Sequence, residues 1–138
     1  MRRFQNFYID GTWRAPATAD AIEVLSASTE SVMGTVPHGT AADVDAAVAA
    51  ARAAFDGEWG ATPPAGRAAW LDKLAEALQT RAGAIAEVIA GEVGSPITMA
   101  RNVQAGLPIA ATSSYAKLAR EASFERELGN SRRLREAY

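Results

Sequence analysis

Residues 40–55 read TAADVDAAVAAARAAF, and this alanine-rich stretch gives the chain its helical character. Thr40 stands three residues before Asp43, as in a capping box, in which the hydroxyl accepts a hydrogen bond from a free backbone N–H. The pattern predicts a helix from about Ala41 to Phe55. Apolar residues recur at intervals of four, three and four, which predicts one apolar stripe. The stripe consists of Val44, Val48, Ala51 and Phe55.

The chain before this helix is rich in β-forming segments. Asp10-Gly11 separates two short runs of strand formers, and such a link favours a hairpin because both of its residues must adopt positive φ. We predict strands at about residues 6–9 and 12–14. Further β-prone runs lie near residues 22–26 and 32–36. This part of the chain is expected to form a small antiparallel unit.

Three more helices are predicted towards the C-terminus. The second helix has Thr62 as its predicted N-cap and Pro63-Pro64 in its first turn, and it runs to about Gln79. The third ends at about Gly94, and the fourth begins at Ser95-Pro96.

Each of these helices carries its apolar residues on one side, which predicts a buried face. Pro108 is expected to kink the fourth helix or to open its hydrogen-bond ladder. The faces are Trp70, Leu71, Leu74 and Leu78 in the second helix, Ile85, Val88, Ile89 and Val93 in the third, and Val103, Leu107, Ala111, Tyr115 and Leu118 in the fourth.

The alanine-rich composition ends at Ala122, and residues 123–138 predict an exposed turn and a strand. Three of the arginines in this segment lie close together near its end, and nearby glutamates offset their charge, which favours a solvated edge over a phosphate site. The arginines are Arg132, Arg133 and Arg135.

The composition narrows the classes of function. The 138 residues carry a formal net charge of -2, which gives no general attraction to nucleic acid or to anionic membranes. No stretch approaches the roughly 20 apolar residues of a membrane span, and the N-terminus is not a signal peptide, so a cytoplasmic protein is expected. The absence of cysteine excludes disulfides, thiolate metal sites and a cysteine nucleophile in these residues. His38, the one histidine, is expected to be an exposed loop residue rather than a base.

Several short motifs follow one another along the chain. They are Tyr8-Ile9-Asp10-Gly11-Thr12-Trp13, Gly34-Thr35-Val36-Pro37, Val44-Asp45-Ala46-Ala47-Val48, Ala51-Arg52-Ala53-Ala54-Phe55, Glu92-Val93-Gly94-Ser95-Pro96, Tyr115-Ala116 and Gly129-Asn130-Ser131. Each motif is weak alone, because hairpins and alanine-rich helices are common, but their order and spacing extend over nearly the whole chain. In these features the sequence resembles the N-terminus of the aldehyde dehydrogenase superfamily.

Two positions depart from the pattern of that family. Ser95 stands where the family usually has the lysine of a glycine-lysine-proline turn, which is a variation expected between subfamilies. After Arg135-Glu136 the chain has Ala137-Tyr138 in place of the usual proline-valine-glycine. The second departure predicts a truncation, a split reading frame or a frameshift close to Arg132.

The resemblance implies oxidation of an aldehyde to a carboxylic acid with NAD or NADP. In this family a cysteine thiolate attacks the carbonyl, a hydride passes to the nicotinamide, and a glutamate activates water for thioester hydrolysis. These groups and the dinucleotide pocket are expected beyond Tyr138. We therefore expect no catalytic, cofactor-binding or metal-binding residue in this chain, no cofactor on the chain alone, and no dehydrogenase activity from it. The resemblance places Val103 and Leu107 beside the substrate tunnel, and an ordinary packing stripe is the alternative.

The expected fold class is α/β of the aldehyde dehydrogenase type, to which this chain contributes an α+β part with a β-hairpin region, about four helices and a terminal strand. Residues 1–39 are the N-terminal β region, residues 40–122 the helices that pack on the cofactor-binding domain, and residues 123–138 the start of the strand arm used for subunit contacts. The expected partners are the remainder of the dehydrogenase or a homologous subunit, with homo-oligomers possible. A non-catalytic helical interaction or oligomerisation module is the alternative function.

Overall fold

The structure is a computed structural model that describes residues 2–122, 125–128 and 132–135. The N-terminal strands are β1 (Arg2–Arg3), β2 (Phe7–Ile9), β3 (Thr12–Arg14), β4 (Ala21–Leu25) and β5 (Val32–Pro37). The helices that follow are α1 (Ala41–Asp56), α2 (Glu58–Ala61), α3 (Pro64–Thr80), α4 (Ala82–Val93), α5 (Ile97–Met99), a π-helical turn (Ala100–Gln104) and α6 (Gly106–Glu121). Two strands, β6 (Glu125–Leu128) and β7 (Arg132–Arg135), come last.

The predicted N-terminal hairpin is confirmed. Strands β2 and β3 pair antiparallel, with Tyr8 opposite Trp13. The two turn residues have positive φ, 54° at Asp10 and 70° at Gly11, as a two-residue hairpin link requires. The rings of Tyr8 and Trp13 lie 5.2 Å apart, centroid to centroid, so the cross-strand pair stabilises the register.

The prediction of one antiparallel unit before α1 is wrong. Strands β1, β5 and β4 form a separate three-stranded sheet in the order β1-β5-β4, and β1 pairs parallel with β5. Arg2 lies opposite Gly34 and Arg3 opposite Thr35. A parallel pair needs a long connection, and here it includes the hairpin and β4, so no local pattern in residues 1–39 indicates it.

Helix α1 begins as predicted at a capping box. The Thr40 hydroxyl accepts a hydrogen bond from the Asp43 N–H at 3.4 Å, and the Asp43 carboxylate accepts one from the Thr40 N–H at 2.8 Å. The predicted apolar stripe exists on α1, but this helix buries no residue in the described chain. Val44, Val48 and Phe55 are all more than half exposed. The stripe is therefore largely uncovered, because the main contacts of α1 are with the short helix α2 and the hairpin strand β2.

Helices α3 and α6 form the main helical contact. Ala68 and Ala75 of α3 and Ala116 of α6 are buried there, and Leu71 and Leu78 are half-buried, as predicted. Trp70 and Leu74, also predicted to be buried, are 58% and 48% exposed. The prediction is wrong for these two residues because small side chains let two helices approach closely, so alanines take the fully buried positions.

The ends of α3 and α4 agree with the sequence signals to within one residue. Helix α4 stops at Gly94, which has φ 75° and donates its N–H to the Ala90 carbonyl. The N-caps of α3 and α5 are Pro63 and Pro96, one residue after the predicted ones, and neither cap makes a side-chain hydrogen bond. The loop predicted before α3 contains the four-residue helix α2.

Strands β6 and β7 pair antiparallel, which agrees with the predicted strand after the helices. The predicted turn at Gly129-Asn130 lies outside the described residues. Among the helices that the structure describes, none has both the length and the apolar character needed to cross a membrane.

Candidate functional site

The two residues expected beside a substrate lie where the helical ladder changes its spacing. Val103 belongs to the π-helical turn, and Leu107 is the second residue of α6. The Ala105 N–H donates to the carbonyl of Ala100, five residues earlier, at 2.8 Å. In a regular α-helix that N–H bonds to the carbonyl four residues earlier.

Pro108 was expected to kink this helix or to open its hydrogen-bond ladder. The ladder is open one turn before Pro108. Proline has no N–H, so it cannot donate to the carbonyl four residues earlier, which is that of Gln104. Gln104 is the last residue of the π-helical turn. The ladder is thus opened on the N-terminal side of Pro108, while α6 continues through it.

The inner side of the π-helical turn packs on α4. Ala100 and Ala105 are buried with Ala86 of α4 in one cluster, against which further apolar residues of α4 pack with partly buried side chains. Those residues are Ile85, Ile89 and Ala90. Three alanines at the closest point allow the backbone of the turn to approach α4, which fixes the rotation of the turn about its axis.

The outer side of the same helix carries the predicted stripe. Val103 is 44% exposed and Leu107 66% exposed, and Tyr115 and Leu118 are also exposed. Most of the stripe is therefore exposed, whereas Ala105 and Ala116 are the buried residues of this part of the chain. Ala111, the middle member of the stripe, is half-buried.

An apolar groove of about 660 Å³ lies between α3 and α6, next to the stripe. It is lined by Leu71, Leu74, Thr112, Tyr115, Leu118, Ala119 and Ala122. Six of these seven residues are apolar or aromatic, and an exposed apolar surface of this kind is typical of a site that packs against another protein segment.

The titratable residues do not assemble a catalytic group in the part of the chain that the structure describes. No cluster of three or more potential metal ligands occurs there. His38 lies in an exposed loop, as predicted, and Glu87 and Glu92 are exposed on α4. Hydrogen bonds from the Thr40 N–H and hydroxyl lower the pKa of Asp43, desolvation opposes them, and the Ala17 N–H adds a smaller lowering effect. This carboxylate therefore joins the segment before β4 to the start of α1.

The sequence reasoning missed the π-helical turn and the side chain of Gln104. The Gln104 Oε1 atom is buried and has no hydrogen-bond partner among the described residues. A signal for the turn was present, since Ala100 and Ala105 are five residues apart and Pro108 follows. It was not recognised because a spacing of five is not part of the α-helical pattern.

Known proteins with a similar sequence and fold belong to one enzyme family. The profile of the aldehyde dehydrogenase family matches residues 13–136. A 3-succinoylsemialdehyde-pyridine dehydrogenase of Pseudomonas sp. is 37% identical over 99% of this chain, and a geranial dehydrogenase of Castellaniella defragrans is 34% identical over 83% of it. The chain covers 28% and 24% of these two proteins, or about a quarter of the length of the relatives that it matches.

Solved structures agree over a similar range. An aldehyde dehydrogenase from Bartonella henselae matches 94% of this chain with a TM-score of 0.89 and 33% identity, and the chain covers 28% of it. A Pseudomonas syringae aldehyde dehydrogenase mutant, solved with NAD+ and octanal, matches 91% with a TM-score of 0.87 and 39% identity, and the chain covers 26% of it. The profile match extends over most of the chain and both kinds of comparison name the same enzymes, so this chain belongs to the aldehyde dehydrogenase family and corresponds to its N-terminal part.

Proposed function

We propose that this chain is the N-terminal part of an enzyme that oxidises an aldehyde to a carboxylic acid with NAD or NADP. The observation that carries the proposal is the likeness to the Pseudomonas syringae enzyme with NAD+ and octanal, at 39% identity over 91% of the chain. A TM-score of 0.87 means that the hairpin and the helices have the same relative arrangement there. NAD is the cofactor that this relative supports, and NADP is the alternative.

The chemistry is proposed to reside outside the 138 residues. Aldehyde oxidation in this family needs a thiolate nucleophile, and the chain has no cysteine. The dinucleotide is likewise proposed to bind outside these residues. A Cβ at Gly57 would lie 3.1 Å from the Ala53 carbonyl oxygen, and one at Gly60 would overlap the Phe55 carbonyl, so these glycines face backbone acceptors rather than a place for phosphate.

We assign this chain a part in holding the substrate. Val103 and Leu107 present apolar, solvent-facing side chains on one side of one helix. Such side chains bind the hydrocarbon part of an aldehyde by removing apolar surface from water. The polar steps of the reaction then belong to the residues supplied by the rest of the enzyme.

The outward faces are proposed to contact that remainder. They are the α1 stripe, Trp70 of α3 and the α3–α6 groove, and residues 40–122 are thereby the helical part that covers the cofactor-binding domain. The arm that begins at residue 123 is proposed to contribute to subunit contacts, and the assembled enzyme to be a cytoplasmic oligomer. Contiguous exposed apolar surface of this kind marks surfaces that are covered in the working protein.

The test is NAD- and NADP-dependent oxidation of a panel of aliphatic and aromatic aldehydes. The purified chain is measured alone and after mixing with the remaining three quarters of a related dehydrogenase. We expect no turnover by either part alone and turnover by the mixture. Turnover by the short chain alone would contradict the placement of the chemistry, and an inactive mixture in which the two parts have bound each other would contradict the proposed function.

A second function is favoured by one observation, the α3–α6 groove with its apolar lining. It is a helical interaction or oligomerisation module derived from such an enzyme. If it applies, the chain alone forms one defined oligomer with a cooperative thermal transition, and Leu74→Gln with Leu118→Gln dissociates it. The matched control is Lys117→Gln, which changes an exposed residue of the same helix. A chain that remains a monomer by light scattering excludes this function.

A further inference from the structure

The π-helical turn changes which residues of this helix share a line along its axis. In a regular α-helix each residue turns about 100°, so residues four apart, such as Val103 and Leu107, are offset by about 40°. A π-helical turn holds more residues, since its N–H groups bond to the carbonyl five residues earlier. Each residue of a π-helical turn therefore rotates by less than 100° about the helix axis. The angle between Val103 and Leu107 becomes smaller, and the two residues lie nearly in line.

The packing on α4 explains why the turn takes this form. In an α-helix Ala100 and Ala105, five residues apart, point about 140° apart, so one of the two would leave the cluster with Ala86. The hydrogen bond from the Ala105 N–H to the Ala100 carbonyl places the two residues one turn apart. Both are buried, at 0% and 2% exposure. The packing of Ala100 and Ala105 on α4 therefore sets the number of residues in the turn, and this number in turn sets the angle between Val103 and Leu107.

We propose that the π-helical turn is a positioning element for substrate recognition, which lines up Val103 and Leu107 into one apolar ridge against the hydrocarbon chain of the aldehyde. Ala86, Ala100 and Ala105 are its positioning residues, and they act without touching the substrate. The ridge favours extended, unbranched aldehydes, because two side chains in line contact a straight chain along its length. The inference rests on the proposed function, in which Val103 and Leu107 face the substrate.

Two single-residue deletions test it by rotating Val103 in opposite directions. Deleting either Asn102 or Gln104 leaves Ala100 and Ala105 four residues apart, so a regular α-helix then keeps both alanines on α4. Without Asn102, Val103 and Leu107 remain four apart and are offset by about 40°. Without Gln104, Val103 and Leu107 are three residues apart and are offset by about 60°, in the opposite direction of rotation about the helix axis. The control Asn102→Ala keeps the spacing and changes one exposed residue.

The variants are made in a complete enzyme, in which this chain replaces the corresponding part of the Pseudomonas sp. relative. The readout is kcat and KM for straight aldehydes of increasing length. We expect both deletions to raise KM for long aldehydes about tenfold with little change in kcat for short ones, which is the loss of one or two methylene contacts. Val103→Ala is expected to have that effect in the unmodified enzyme and no further effect in either deletion variant. Leu107→Ala is expected to keep its effect in all of them.

The outcomes separate this inference from the function on which it rests. If Val103→Ala and Leu107→Ala leave the preference for chain length unchanged, the substrate-facing role itself is wrong. If they change it while both deletions behave like Asn102→Ala, the positioning role of the turn is wrong and the substrate-facing role stands.

A measurement on the unmodified chain does not depend on the folding of any deletion variant. Scalar couplings across hydrogen bonds, measured by NMR on the isotope-labelled chain, identify the acceptor of the Ala105 N–H. The inference requires the Ala100 carbonyl as acceptor, and a coupling to the Arg101 carbonyl would overturn it.

Discussion

Arg120 of α6 donates a hydrogen bond to the carboxylate of Asp72 in α3, which joins two residues 48 positions apart in the chain. Both side chains are about half exposed, and a second nitrogen of the same guanidinium donates to the Ala116 carbonyl at 3.3 Å. The other ion pairs within the described ranges link residues four apart. This pair therefore closes one end of the α3–α6 interface, whose interior is alanine.

The energy of this pair is expected to be small and sensitive to salt. A double-mutant cycle with Asp72→Asn and Arg120→Gln should give a coupling of about 0.2–1 kcal/mol, because solvent screens half-exposed charges. Urea unfolding at low and high salt measures it, and the coupling should shrink at high salt. A coupling that is large and independent of salt would mean that the pair is covered from solvent.

The alanines between α3 and α6 are expected to tolerate no enlargement. Ala116 is fully buried, so Ala116→Leu forces the two helices apart and should lower the free energy of unfolding by about 1–3 kcal/mol. Ala110→Leu makes the same change at an exposed position of α6 and should stay within about 0.5 kcal/mol. Thermal or urea unfolding compares the two variants. Equal effects would show that the helices are not in close contact at Ala116.

A glycine within α4 and the glycine that caps its end are expected to change stability in opposite directions when replaced by alanine. Gly94 has φ 75° and a Cβ there would lie 3.2 Å from the Cβ of Ala27, so Gly94→Ala should destabilise the chain by about 1–2 kcal/mol. Gly83 has open space around it, and Gly83→Ala should stabilise the helix by about 0.5 kcal/mol. The midpoints of urea unfolding measure both. A stabilising Gly94→Ala would contradict the left-handed cap.

The stability of the chain is expected to fall in acid partly through Asp43. Hydrogen bonds from Thr40 hold the pKa of Asp43 below its usual value, so the carboxylate stabilises the folded chain at neutral pH. This contribution is present above the unfolded-state pKa, and it is lost as the pH falls from about 5 through the lowered folded-state pKa. Asp43→Asn should remove this part of the pH dependence of the unfolding free energy.

Thr40→Ser is the matched control for that experiment, because it retains the hydroxyl and the backbone N–H that bond to the carboxylate. Its pH dependence should follow that of the unmodified chain. Thr40→Ala removes the hydroxyl cap and should cost about 1 kcal/mol near neutral pH. If Asp43→Asn and the unmodified chain lose stability equally in acid, the hydrogen bonds of Asp43 do not contribute.

Local signals in the sequence determined the elements of this protein. Asp10-Gly11 defines its hairpin, the capping box at Thr40 defines the start of α1, and Gly94 defines the end of α4, since each depends on the backbone chemistry of a few neighbouring residues. The order of the motifs likewise identified the family, because a series of weak motifs in fixed order is specific even where each motif is common.

Tertiary structure alone decided which faces are covered. Trp70, Leu74 and Leu107 look like core residues by periodicity, yet they are largely exposed, because the buried positions of the described helices are held by alanines that allow close approach. The parallel pairing of β1 with β5 and the π-helical turn also depend on partners distant in the chain, the strand at Gly34 and the alanine at Ala86. Periodicity shows that a helix has an apolar side, but the partner that packs most closely decides which side is inside.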